Sequence, residues 1–86
     1  MIMHVTNKEA SLKLIQTLYE NRKHRLYYLA FHILQDESGA EDAVYNCFAK
    51  LLESYALHSG ISYRQLERLA DKLVCQLAYS SLEEPR

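Results

Sequence analysis

The side chains with catalytic or metal-binding capacity are scattered rather than grouped. Of the four histidines, His24 and His32 stand eight residues apart, two helical turns rather than one, and no pair has ligand spacing. The cysteines, Cys47 and Cys75, form no CxxC or Cys/His zinc pattern. Each falls among apolar neighbours, Cys47 with Val44 and Phe48, Cys75 with Val74 and Ala78, and reads as a small buried hydrophobe. No Gly-rich phosphate loop, HExxH or Ser-His-Asp arrangement is recognisable. Of the acid pairs Glu41-Asp42 and Glu83-Glu84, the first suits a helix's first turn, where the dipole favours negative charge. Arg22-Lys23-His24-Arg25 has two readings, a phosphate contact or a solvated helix turn. The expectation is a protein without a cofactor or metal that is not an enzyme.

The elements that carry these residues read as helices. Two Gly and one Pro in 86 residues leave too few turn residues for a β-sandwich or barrel. The length allows one domain, spanning 1–86. Three capping boxes punctuate it: Thr6-Asn7-Lys8-Glu9, Ser38-Gly39-Ala40-Glu41 and Ser62-Tyr63-Arg64-Gln65. After the second, Ala40, Ala43, Val44, Cys47, Phe48, Leu51, Leu52 and Tyr55 recur at i, i+3, i+4. After the third, Leu66, Leu69, Ala70, Leu73, Val74, Leu77 and Ala78 do the same. In Leu12–Leu34, one face (Leu12, Ile15, Leu18, Tyr19) gives way to polar Asn21–Arg25, then to a stretch apolar nearly all round. This reads as two helices, or one bent near residue 21. The expected fold is all-α, a compact bundle of three long helices plus an N-terminal helix.

Charge and hydropathy narrow the setting. Residues 1–34 carry five cations against two acids, whereas residues 35–59 carry Lys50 against Asp36, Glu37, Glu41, Asp42 and Glu53. There is no dense polybasic stripe. No signal peptide or long apolar run is evident, so a soluble cytoplasmic protein without membrane contact is expected.

Arg25-Leu26-Tyr27-Tyr28-Leu29-Ala30-Phe31-His32-Ile33-Leu34, a short acidic loop, and then Ala40-Glu41-Asp42-Ala43-Val44-Tyr45-Asn46-Cys47-Phe48-Ala49-Lys50-Leu51-Leu52 resemble region 2 of bacterial sigma factors of the extracytoplasmic-function type. The family pattern is "rLyrlAyrilgd" followed by "AEDlvQevFlrlw". Leu66-Glu67-Arg68-Leu69-Ala70-Asp71-Lys72-Leu73 is similar to the family's next helix, "WLyrIArNla". The likeness runs from about Leu18 to Leu77 and is most specific at the AED-to-Phe stretch. It implies that one helix face docks on the clamp helices of the RNA polymerase largest subunit: Asp42, Tyr45, Asn46, Ala49, Lys50 and Glu53. It implies a second face that captures the promoter −10 element: His58, Ser59, Tyr63, Arg64, Arg68 and Lys72. A tyrosine beside cations four residues apart suits single-stranded DNA, which is held by stacking and phosphate contacts.

Departures from the pattern qualify the DNA role. Tyr45 replaces the family's Gln, Asp71-Lys72 its Arg-Asn pair, and Tyr79-Ser80-Ser81 its Arg-rich helix end. No −35-reading helix-turn-helix occurs in the 86 residues. The resemblance therefore implies half of a two-subunit sigma factor, acting with core RNA polymerase, a separate −35-reading subunit and promoter DNA within the complex. The alternative is a small helical adaptor or regulator that binds protein and not DNA.

Overall fold

The computed structural model describes residues 7–55 and 61–83. They form three helices, α1 (Asn7–Leu34), α2 (Glu37–Tyr55) and α3 (Tyr63–Glu83), and no strand. The all-α expectation holds, but the separate N-terminal helix does not: α1 is one continuous helix of 28 residues. Asn21–Arg25 contains no Gly or Pro to break it. Ile15, Leu18, Arg22, Leu26 and Ala30, spaced three and then four apart, form one inward stripe in which only Arg22 is polar. Arg22 alone of the polar run takes a place on this stripe, and the run is no hinge.

A two-residue link, Gln35-Asp36, turns α2 back along α1. Gln35 ends α1 in the left-handed region, φ 55°, with its amide donating to the Phe31 carbonyl at 2.7 Å. Asp36 then caps α2: its carboxylate accepts from the Gly39 amide at 2.6 Å, and its carbonyl from the Ala40 amide at 2.9 Å. The box expected at Ser38 is thus displaced by two residues, and Ser38 lies inside the helix. A link this short needs its acceptor at once, and an aspartate serves as well as a serine. The first-turn acid is consequently Glu37, and Glu41-Asp42 sit one turn further in. A Cβ on Gly39 would lie 2.7 Å from the capping Asp36 oxygen, which accounts for glycine there.

At the start of α3 the expected box is present. The Gln65 amide donates to Ser62 Oγ at 3.1 Å, and the Ser62 amide to Gln65 Oε1 at 2.8 Å. Thr6, of the first expected box, lies outside the described residues.

Each helix packs on both others. Contacts between α1 and α3 climb together, Asn21 with Tyr63, Arg22 with Glu67 and Arg25 with Asp71, so the two run in the same direction. The centre is built from Leu18, Leu26, Cys47, Leu51, Leu66 and Val74, all essentially inaccessible. On α3 the deepest positions are Leu66, Ala70, Val74 and Ala78, while Leu69, Leu73 and Leu77 are only partly buried. The expected apolar face of α3 was broader than its buried core because the helix wedges between two neighbours. Leu66, Ala70, Val74 and Ala78 occupy the wedge, and Leu69, Leu73 and Leu77 its flank. The Cys47 thiol donates to the Ala70 carbonyl at 3.6 Å across this close approach. Leu52, part of the apolar run of α2, is 42% exposed. The row Val44, Phe48, Leu52 rolls about 40° round the helix per step of four and carries Leu52 out of the interface.

Candidate protein-docking site

The outward side of α2 gathers the residues singled out there. Asp42, Tyr45, Asn46, Lys50 and Glu53 are exposed and Ala49 is half-buried, spaced along one face away from the core. Among the described residues Tyr45 is the most exposed large apolar side chain, at 74%. A tyrosine this exposed on a helix is the kind of amphipathic anchor that protein interfaces use.

Sequence reasoning missed the other half of this site, which α1 supplies. Leu12, Ile15 and Tyr19 of α1 face Tyr45, Phe48, Ala49 and Leu52 of α2 across an open apolar furrow of about 530 Å³. Tyr19 meets Phe48 edge-on at 5.0 Å between centroids, which fixes the furrow floor. Leu12, Tyr19 and Leu52 belong to apolar helical faces in the sequence pattern. In the structure each is more than one-third exposed, because the furrow lies on the side of the hairpin that α3 does not cover. The available signal was the width of the apolar arc on α2, more than one neighbour could bury.

Tyr19 and Tyr45 also border a second hollow of about 430 Å³, walled by Lys23, His24 and Tyr27 of α1 and by Glu41 and Val44 of α2. The Lys23 ammonium sits 5.1 Å from the centre of the Tyr19 ring. The Tyr27 hydroxyl is pushed above its ordinary range, first by desolvation and then by Glu37, Glu41 and Asp36. This end of the hairpin thus sets Lys23 and Glu41, of opposite charge, beside aromatic rings.

The residues expected to face DNA are only partly brought together. Arg64, Arg68 and Lys72 are exposed along one stripe of α3. Tyr63 is not on it: about 100° round the helix from Arg64, it packs against the core, and its hydroxyl accepts from Asn21 Nδ2 at 3.3 Å. Tyr63 thus stands off the stripe that carries Arg64, Arg68 and Lys72 and remains partly exposed. His58 and Ser59 lie outside the described residues. Glu67 and Asp71, adjacent in sequence to the basic stripe, turn towards α1. Arg22 pairs with Glu67 at 3.7 Å and with Asp71 at 3.3 Å, and Arg25 reaches Asp71 at 3.6 Å. Of the run Arg22–Arg25, Arg22 is thus half-buried and spoken for rather than part of a solvated turn. Among the described residues Arg22 Nε and Asp71 Oδ1 are buried without a hydrogen-bond partner.

Neither cysteine is in a disulfide. Burial above all, with the Asp71 carboxylate and Cys75 nearby, pushes the Cys47 thiol up to about 12. Burial and Asp71 also raise Cys75, with Arg25 opposing. Neither is poised as a nucleophile. Among the described residues no three His, Cys, Asp or Glu side chains cluster so as to hold a metal ion, and no helix is long and apolar enough to cross a membrane. No family model, no curated protein and no solved structure matches the chain.

Proposed function

We propose that this chain is a protein-docking subunit of transcription initiation. In this reading it seats the outer face of α2 on the clamp helices of RNA polymerase, as the sequence likeness to sigma region 2 implies. The observation that carries it is the single outward face of Asp42, Tyr45, Asn46, Ala49, Lys50 and Glu53, with free Tyr45 at its edge and an apolar furrow beside it. An apolar centre with a polar rim is what a helix-on-helix interface requires. Capture of core polymerase by the immobilised chain is the test. Tyr45→Ala with Asn46→Ala should reduce capture strongly while leaving the helical CD spectrum intact, since both residues are exposed. Undiminished capture by that double variant contradicts the proposal.

Within such a complex, with a separate subunit reading the −35 element, Arg64, Arg68 and Lys72 would meet promoter DNA near the −10 element. Three cations give a salt slope of only about two units of log K per log salt on single strands. The free chain should therefore bind a −10 oligonucleotide weakly, and measurably only when polymerase holds it nearby. The second reading, a helical adaptor that contacts protein and not DNA, is favoured by one observation: Tyr63 is engaged by α1 instead of presented for base stacking. Fluorescence anisotropy of the oligonucleotide with polymerase present separates the two. An effect of Arg68→Ala and Lys72→Ala supports DNA contact, and no effect supports the adaptor.

A further inference from the structure

Tyr79 is 57% exposed near the end of α3 and belongs neither to the core nor to the outer face of α2. At about 100° per residue, Tyr79 falls between Arg68 and Lys72 round the helix, about 20° from each. It therefore extends the basic stripe, about 10 Å beyond Lys72 along the axis. The charges bordering the stripe do not cancel it. Glu67 and Asp71 flank it on the α1 side, where Arg22 and Arg25 engage them. With those pairs counted, this side holds Arg22, Arg25, Arg64, Arg68 and Lys72 against two acids. On the α2 side, the hollow beside Lys72 is lined by Leu51, Leu69, Leu73 and Gln76, none of them charged. Asp42 of α2 lines a groove with Ser80 and Ser81 instead, which turn about 100° or more away from Tyr79. Glu83, exposed one turn past Tyr79, closes the track of cations.

We infer that this face takes a single strand of DNA, with phosphates along Arg64, Arg68 and Lys72 and one unpaired base stacked on Tyr79. This rests on the DNA reading above and adds the residue that makes the face sensitive to strandedness. A row of cations names a polyanion, and it attracts duplex and single strand alike. An exposed ring at the end of the row adds contact only to a base whose face is open, which the interior of a duplex does not offer. Every base has such a face, so the contact is indifferent to sequence. An acidic protein segment would satisfy the cations alone. Dependence on the ring, and on bases opposite it, tells the two occupants apart.

The test is fluorescence anisotropy with the full chain at about 0.02 M salt, where phosphate contacts are strengthened. The probes are a labelled oligothymidylate, an abasic strand with as many phosphates, and a duplex. The oligothymidylate should bind about tenfold more tightly than the abasic strand. Tyr79→Ala should remove that difference, leave the duplex unaffected and keep the salt slope. Arg68→Ala should instead lower the slope by about 0.7 on both single strands. Tyr79→Trp gives the chain its only tryptophan. Its emission should be quenched by the oligothymidylate and not by the abasic strand. No binding of the oligothymidylate, equal binding of the abasic strand, an equal loss on the duplex with Tyr79→Ala, or displacement by polyglutamate as readily as by unlabelled strand each overturns the inference. The Arg68→Ala and Lys72→Ala measurement in the polymerase complex is read separately. An effect there with none from Tyr79→Ala here removes this inference and keeps the promoter reading. Tyr79-dependent binding here with no effect there does the reverse.

Discussion

Replacing Arg22 asks whether charge seats α3. Its guanidinium lies 3.3 Å from Asp71 and 3.7 Å from Glu67, with side-chain exposures of 27%, 30% and 29% respectively. At an effective dielectric of about 20, an ion pair at the shorter distance attracts by about 5 kcal/mol before solvation is counted. Withdrawing both ions from water offsets most of that, and a fully exposed pair retains at most about 1 kcal/mol. A site roughly two-thirds shielded should lie somewhat above that limit. Arg22→Ala also leaves Glu67 without its cation, leaves Asp71 with Arg25 alone, and removes the arginine stem from the packed stripe. The expected loss is about 2 kcal/mol, or a fall in Tm on the order of 10 °C for a domain of this size. Urea unfolding followed by far-UV CD measures it, in a double-mutant cycle with Asp71→Ala. The coupling should be about 1 kcal/mol at low salt. It should shrink at about 1 M salt, where the Debye length is about 3 Å. Arg22→Met with Asp71→Leu and Glu67→Gln should recover most of the stability, because it removes the three half-buried charges together. Simple additivity of the two alanine changes, or a coupling indifferent to salt, would show that α3 is held by Leu66, Ala70, Val74 and Ala78 alone.

The cap assignment separates two neighbours: Asp36→Ala should cost about 1 kcal/mol of unfolding free energy and Ser38→Ala less than about half of that. Equal costs in urea titrations would return the cap to Ser38. Gln35→Gly should stabilise the chain by about 0.5–1 kcal/mol, since Gln35 occupies φ 55° without glycine's freedom. A lower Tm for that variant contradicts the reading of the α1–α2 link. The raised Cys47 thiol makes stability pH-dependent in a defined direction. The folded thiol stays protonated up to about 12 while the unfolded one ionises from its ordinary value of 9.0. Its contribution is fully present below about pH 9 and is lost as pH rises towards 12, at up to about 1.4 kcal/mol per pH unit. Urea midpoints at pH values on either side of 9 measure this, and Cys47→Ala should flatten the decline. An identical decline in that variant would assign it to other groups.

Helical class, the paths of α2 and α3, and the Ser62 cap were legible in the sequence because they depend on interactions within about four residues. Periodicity and capping are local, and Ser62 and Gln65 meet wherever α3 packs. The outward face of α2 was legible for the same reason: residues three and four apart share a side of any helix. Three things were not legible. Asn21–Arg25 looked like a break because its polarity is visible, whereas the carboxylates that accept Arg22 lie more than 40 residues away. Asp36 and Ser38 are both good caps, and only the length of the turn required by α1 against α2 chooses between them. Whether Leu12, Tyr19, Leu52 and Tyr63 are buried depends on which sides of the α1–α2 hairpin α3 covers. Hydrophobic patterning marks an apolar arc without counting the neighbours available to bury it. Tertiary packing made that count, placing Tyr63 against α1 and leaving Leu12, Tyr19 and Leu52 along an open furrow.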